Sequence, residues 1–311
     1  MIIRNIKSSD TEEIISLWKQ TLPYLCINKR IFYKKVWLEA NFSPDGFFVA
    51  EEKNKIVGFV NAVFRRVPIC AEAKIEESSG WIAGFILDKN HLPVGDLLLK
   101  KAEDYLKENE KTTISTGYYP TYFTQGVDEE ITPEYKAIFE KRDYRKSVSK
   151  AKALDLSTYT EPESIGSKRK KLAEEGVYIG PLTEEYLDKL LTLDNDFLSP
   201  SWLYEYKNRL SDMDFERFRI AVIDGKVVGA SVFSDPDSNP ERFGPFGVSD
   251  ACQGKGIGSV LLADTLALMK KRGLASAWMQ WCSHDPAANI VYERAGFTDI
   301  HTYCEYQKEL R

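Results

Sequence analysis

Apolar positions along the chain follow two periods, and the order in which the periods alternate is the same in both halves. In the first half Ile2 to Ile6 reads as a strand, and Ile14, Leu17 and Trp18 fall on one face of a helix that Ser9 or Asp10 can cap. Arg30 to Ala40 reads as a second helix, and Gly46 to Ala50 and Lys55 to Phe64 as two strands around the turn Lys53-Asn54. Trp81 to Leu87 is a further strand, Asp96 to Glu108 a helix with Leu98, Ala102 and Tyr105 on one face, Thr112 to Thr116 a strand and Pro133 to Arg142 a helix. The second half starts again with the strand Val177-Tyr178-Ile179, a helix carrying Leu187, Leu190 and Leu191, and a helix from Trp202 to Leu210. Phe218 to Val222 and Lys226 to Phe233 form a hairpin across Asp224-Gly225. A strand ending at Val248, a long helix to about Arg272, a strand from Ala275 to Cys282, a helix around Tyr292 and a strand from Asp299 to Gln307 complete the pattern.

The repetition extends to individual residues. Lys55-Ile56-Val57-Gly58 parallels Lys226-Val227-Val228-Gly229, Gly95-Asp96-Leu97-Leu98 parallels Gly258-Ser259-Val260-Leu261, and Phe139-Glu140-Lys141-Arg142-Asp143-Tyr144 parallels Tyr292-Glu293-Arg294-Ala295-Gly296-Phe297. Two mixed α/β domains in tandem are therefore expected over 1–157 and 176–311. The polar stretch 158–175 between them, with Lys168-Arg169-Lys170-Lys171, reads as a solvated linker rather than a nucleic-acid patch.

Composition narrows the class. A chain of 311 residues is long for one domain, and 43% hydrophobic with 29% charged residues suits a soluble globular protein. A net charge of −5 gives no basic footprint for nucleic acid. No apolar run reaches the roughly 20 residues of a membrane span, and Met1-Ile2-Ile3-Arg4 does not open a signal peptide. The five scattered cysteines lack C-x-x-C spacing, which with the foregoing places the chain in the cytoplasm with reduced thiols; Cys252 and Cys282 read as buried small side chains. The three histidines have no paired ligand spacing, so no metal is expected.

Chemistry concentrates after Val248. In Gln253-Gly254-Lys255-Gly256-Ile257-Gly258-Ser259 alternate glycines open a long helix, so that loop amides and the unpaired amides of the first turn form a set of donors for an anion, with Lys255 at the mouth. The spacing fits neither a P-loop nor a dinucleotide turn. It resembles Q/R-x-x-G-x-G/A, the pyrophosphate motif of the GNAT acetyltransferases. Downstream, Asp285-Pro286-Ala287-Ala288-Asn289-Ile290-Val291-Tyr292-Glu293-Arg294-Ala295-Gly296-Phe297 resembles that family's N-x-x-A-x-x-L-Y-x-x-x-G-F.

The resemblance implies two GNAT-like domains, an acyl-CoA site in the second, and direct transfer of an acetyl group from acetyl-CoA to a primary amine on a small molecule or peptide. It implies backbone pairing of the cofactor at Phe246 and Val248, pyrophosphate at Gln253 to Ser259, support from Asp285 and Asn289, and Tyr292 as proton donor to the leaving thiolate. Asp285 departs from the family's asparagine. The general base is not legible; Glu241 is the nearest carboxylate on the central strand, and a surface role for it stays open. In the first copy Asn90, His91 and Pro93 replace Gln253, Gly254 and Gly256, and Phe139 replaces the tyrosine, so that copy is expected to keep the fold without the cofactor. Trp202, Tyr204, Tyr206, Trp278, Trp281, Tyr303 and Tyr306 are candidates to line the acceptor side. Gly117 to Phe123 is expected to wall the acceptor pocket or to complete the first core. Two other classes remain: a non-catalytic CoA-binding module and a scaffold that binds no cofactor.

Overall fold

The computed structural model describes residues 1–71, 73–117, 119, 125–235, 239–282 and 286–310, with backbone only at 235, 286 and 287. Asp285 and most of Gly117 to Phe123 lie outside the described residues. The chain divides into two units. The first contains 1–68, 74–150 and 301–311, and the second 69–73 and 151–300.

In chain order the first unit supplies β1 (Ile2–Asn5), α1 (Thr11–Thr21), α2 (Lys29–Phe32), β2 (Phe47–Glu52), β3 (Lys55–Phe64), β4 (Ser79–Leu87), α3 (Val94–Glu108), β5 (Thr113–Ser115), β6 (Val127–Asp128) and α4 (Tyr135–Glu140). Strand β7 (Arg145–Asp155) leads into the second unit, which supplies α5 (Glu163–Glu174), β8 (Tyr178–Pro181), α6 (Leu187–Leu190), α7 (Pro200–Arg209), β9 (Phe218–Ile223), β10 (Lys226–Asp235), β11 (Asn239–Val248), α8 (Ile257–Lys271), β12 (Ser276–Cys282) and α9 (Pro286–Ala295). The last strand, β13 (Thr298–Glu309), starts in the second unit and ends in the first.

Both hairpins carry left-handed residues at two successive turn positions, the twist a two-residue connection needs. Lys53 and Asn54 sit at φ 52° and 59°, and Asp224 and Gly225 at 48° and 73°. They set the antiparallel pairs β2–β3 and β9–β10. In the first unit the strand order is β1-β2-β3-β4-β5-β13, with β4–β5 parallel. In the second it is β7-β12-β11-β10-β9-β8, with β11–β12 parallel. One face of the first sheet takes α3, whose Leu98, Leu99, Ala102 and Leu106 are buried against Val60, Ala62 and Ile82. The second unit buries Val260 and Leu261 of α8 with Ala221 of β9, and Leu266 and Met269 with Ala277 of β12.

The boundaries differ from those expected at 157 and 176. Residues 163–174 are a helix of the second unit, because Ile165 and Leu172 are spaced to bury one stripe against Ile257, Val260 and Leu261. Arg169 clamps that helix to α8 through Asp264 at 2.6 Å. The end of the chain belongs to the first unit because its apolar side chains are needed there. Cys304, Tyr306 and Leu310 join that core, Tyr306 stacks on Phe139 at 4.5 Å, and β13 pairs Gln307 to Glu309 with Ser115 to Thr113. Lys308 adds an ion pair to Glu103 at 3.1 Å, beside the Arg142–Glu103 pair at 2.8 Å.

Candidate active site

Strand β11 carries the site. Ser249 donates its N–H to Val228 at 2.8 Å, and Val248 stands opposite Gly229 in the same ladder. Backbone groups alternate sides along an antiparallel strand, so Val248 directs its own N–H and C=O away from β10. On that side the parallel ladder to β12 is registered at Arg242↔Trp278, at the far end of β11. Among the described residues no pair is registered between those strands toward Val248. Val248 thus turns its backbone polar groups away from β10, at a position where no β12 partner is registered among the described residues.

After Val248 the chain makes a single turn at Asp250–Cys252 and enters the glycine loop. Gln253 leans back and donates to Asp250 at 2.6 Å. Gly254 and Gly256 have φ of 77° and 92°, a conformation that a side chain disfavours. A Cβ on Gly254 would meet nothing within 4 Å, so the need for glycine there is conformational and the space in front of it is open. Gly256 is the residue before α8, and no side chain caps that helix. The first amide to close back is Val260 onto Gly256 at 3.2 Å, which leaves the donors of Ile257, Gly258 and Ser259 ahead of it. Lys255 is exposed beside them. Gly258 packs under the strand end: a Cβ there would lie 3.4 Å from the Phe246 ring and 3.6 Å from Val248. An open fan of amides and one ammonium, uncapped by any side chain, suits a pyrophosphate.

Tyr292 lies next to this. It is 7% exposed, its ring 5.9 Å from Phe246 and 6.3 Å from Phe243, with Phe297 at 5.6 Å. The tyrosine thus packs against three phenylalanines, two of them on β11. Asn289, one turn earlier on α9, accepts a hydrogen bond from the Cys282 thiol at 3.0 Å. Cys282 and Cys252 are both buried. Asp285 lies outside the described residues.

Glu241 is not placed to act as the base. It sits seven residues before Val248 on the same strand, roughly 20 Å away at the usual rise. Its carboxylate accepts from the Ala275 N–H at 2.8 Å, the Ser276 N–H at 3.0 Å and the Ser276 hydroxyl at 2.6 Å. Burial pushes its pKa up, but the bonds from Ser276 and Ala275 outweigh that and hold it below the ordinary glutamate value. A carboxylate so engaged, and so weakly basic, pins the start of β12 to β11. The carboxylate near Val248 is one the sequence reading missed. Asp196, in the loop before α7, accepts from the Ser249 hydroxyl at 2.8 Å. The same loop and helix bring Phe197 and Trp202 onto Gly247, where a Cβ would come within 2.8 Å of the indole. No local pattern marks Asp196; only the fold of that loop onto β11 does so.

The aromatic candidates separate. Trp202 is beside the strand end, and Trp278 lies under the Arg242 guanidinium at 5.2 Å. Tyr204 and Trp281 are partly exposed. Tyr206 is core, edge-on to Phe218, and Tyr303 and Tyr306 are buried in the first unit, so those three do not line this site.

The equivalent edge of the first unit is closed. Asp88 donates to Val57 at 2.8 Å, matching Ser249 to Val228, and Leu87 stands opposite Gly58 as Val248 does opposite Gly229. The Leu87 N–H, however, donates to the Tyr135 hydroxyl at 2.7 Å, which itself reaches the Leu87 carbonyl at 3.3 Å. Val94 and Gly95, at the start of α3, donate back to the carbonyls of His91 and Leu92 at 3.0 Å each. The His91 ring lies 3.1 Å from Asp88 and 3.2 Å from Glu52.

The acetyltransferase (GNAT) family profile matches residues 11–118 and again 187–297, more than half of the chain. The chain belongs to this acetyltransferase family. The two matches, one in each unit, make it a tandem GNAT protein. Among solved structures it is similar to a GCN5-related glucosamine N-acetyltransferase region of a fungal multi-domain GH3 β-N-acetylglucosaminidase, at TM-score 0.79 and 18% identity over 99% of this chain. The chain spans 38% of that protein. A GCN5-related N-acetyltransferase from Sphaerobacter thermophilus aligns over 100% of this chain and 96% of its own at TM-score 0.70 and 15% identity. A tandem GNAT protein from the clavulanic acid biosynthesis pathway aligns over 100% and 98% at 0.67 and 14%. At these identities the likeness is one of fold. No curated protein sequence matches the chain. Among the described residues no helix is long and apolar enough to cross a membrane, and no cluster of three or more histidine, cysteine or acidic side chains is placed to hold a metal ion.

Proposed function

We propose that the second unit of this tandem GNAT protein binds acetyl-CoA and transfers the acetyl group to a primary amine on a small molecule or peptide. The observation that carries the proposal is the uncapped fan of amides from Gly254 to Ser259, directly after a strand end whose Val248 N–H and C=O point away from β10. When bound, the cofactor supplies the acyl group as a thioester. The loop amides and Lys255 hold its pyrophosphate, the Val248 N–H polarises the acyl carbonyl, and Tyr292 donates a proton to the sulfur. Asp196 receives the amine. It offers a carboxylate one hydrogen bond from Ser249, where Glu241 offers none. Asp196→Asn should then lower amine-dependent turnover at least ten-fold with little change in acetyl-CoA affinity.

A second reading, a CoA-binding module without catalysis, draws on the engagement of Glu241 in sheet structure. Two measurements separate the readings. Isothermal titration of the full chain with acetyl-CoA should give one site per chain. Thiol release from acetyl-CoA across a panel of primary amines should then show amine-dependent turnover. Binding without release for any amine would favour the second reading, and absence of binding would overturn both.

A further inference from the structure

Helix α5 lies outside both segments matched by the family profile, and it carries the basic run at 168–171. Its residues face different ways. Ile165, Lys168, Arg169 and Leu172 share one face at three- and four-residue spacing. Ile165 and Leu172 are buried with Ile257, Val260 and Leu261, and Arg169 pairs with Asp264 of α8 at 2.6 Å and Glu161 at 2.8 Å. These contacts fix the face of α5 on which Lys168 stands. Lys170 and Lys171 point outward and make exposed pairs with Glu174 and Glu175 at 3.9 and 3.7 Å. Lys168 is half-buried, and among the described residues it makes no ion pair, unlike the other three members of the run.

Its stem crosses the glycine loop. A Cβ built on Gly256 would lie 3.5 Å from Lys168 Cδ and 3.7 Å from Cγ, with no other neighbour within 4 Å. The ammonium is two bonds beyond Cδ. An unpaired cation is thus carried on a clamped helix to the residue that opens the uncapped N-terminus of α8. Glu161, just before α5, and Asp264 of α8 do not neutralise it, because both are engaged by Arg169.

We propose that Lys168 is a pyrophosphate-binding residue of the acyl-CoA site, a side-chain anchor supplied from outside the family's matched core. This rests on the reading that the second unit binds acetyl-CoA, and it makes α5 part of the site. The aliphatic stem covers the loop while the charge completes, with Lys255, a cationic pair flanking the amides. An anion near a half-buried ammonium gains more than one near a fully solvated lysine.

The test is isothermal titration of the full chain. Wild type should bind acetyl-CoA, and Lys168→Ala should weaken Kd roughly ten-fold. Lys168→Arg should recover most of that, and the melting temperature of both variants should stay near wild type because the side chain has no carboxylate partner to lose. Acetyl-dephospho-CoA, which keeps the pyrophosphate and lacks the 3′-phosphate, should show the same ratio between wild type and Lys168→Ala. A wild type that binds and a Lys168→Ala variant of equal affinity overturn the assignment. So does a ratio that vanishes with acetyl-dephospho-CoA, since the contact would then be to the 3′-phosphate. Failure of wild type to bind any of these ligands refutes the acyl-CoA reading itself, and this proposal with it.

Discussion

Replacing Glu241 by glutamine separates a structural carboxylate from a catalytic one. The carboxylate takes three hydrogen bonds at the start of β12, from Ala275 and Ser276. Bonds to a charged acceptor contribute about 1.5–3 kcal/mol each and neutral ones about 0.5–1.5, so a neutral amide that keeps one accepting oxygen should cost about 1–3 kcal/mol. For a unit of this size that corresponds to a fall in melting temperature of roughly 3–10 °C. The loss should depend on pH in a definite sense. The folded pKa of Glu241 lies below its ordinary value of 4.5, so its contribution is complete above that value and disappears as pH falls through the lower folded one. Melting temperatures of wild type and Glu241→Gln should be well apart at pH 7 and draw together as pH falls below 4.5 through the lower folded value. Amine-dependent thiol release below the melting transition should retain its rate and its pH profile. A variant with an unchanged melting temperature at pH 7 and lost turnover would refute the reasoning and return Glu241 to the chemistry.

Gly256→Glu places a like charge and a side chain at the loop and should abolish acetyl-CoA binding by titration; unchanged affinity would mean that the anion is held elsewhere. Tyr292→Phe should lower turnover about 100-fold while leaving acetyl-CoA affinity within two-fold, because only the donated proton is removed; an equal rate would make Tyr292 a packing residue. Tyr135→Phe leaves the buried Leu87 N–H and C=O without their partner and should cost about 1–3 kcal/mol in unfolding experiments, with acetyl-CoA stoichiometry unaltered. A melting temperature equal to wild type would show that those groups find water instead.

Local chemistry made much of this legible in sequence. The hairpins at Lys53-Asn54 and Asp224-Gly225 and the glycine loop before α8 follow from residues that act within a few positions of themselves. What escaped depends on distant partners. Strand β7 is not assigned from sequence, and its Lys146, Lys150 and Lys152 meet Glu129, Thr302 and Asp299. Helix α5 was hidden by its basic run, although Ile165 and Leu172 already had the spacing of a buried stripe. That Tyr306 serves the first core could not be read from periodicity, which gives a strand its faces and not its neighbours. The same limit hid Asp196 and left the role of Glu241 open. A carboxylate's availability is decided by which N–H and O–H groups the fold brings to it.

The two copies differ in whether the chain itself fills the equivalent edge. Leu87 and Val248 stand at the same register in their units, so each turns its N–H and C=O away from the preceding strand of its sheet. Buried backbone groups need partners, and without a ligand these must come from the chain itself. The first copy supplies them with Tyr135, placed four residues before Phe139 on α4. The corresponding position, four before Tyr292 on α9, is Ala288, which has no group to offer. The helix starts differ in the same direction. Val94 and Gly95 bond to carbonyls of their own loop, and the acids Asp88 and Glu52 gather around His91, raising its pKa chiefly through the bond to Asp88. That corner already holds its countercharges and would repel a phosphate. At the second helix start Gly254 and Gly256 take positive φ and no side chain caps the helix; Lys255 and the stem of Lys168 stand beside the loop, and Asp250 is engaged by Gln253. Loss of the cofactor motif in the first copy is therefore more than the loss of glycines. Its residues close among themselves the hydrogen bonds and charge balance that, on the acetyl-CoA proposal, the second copy leaves to its ligand.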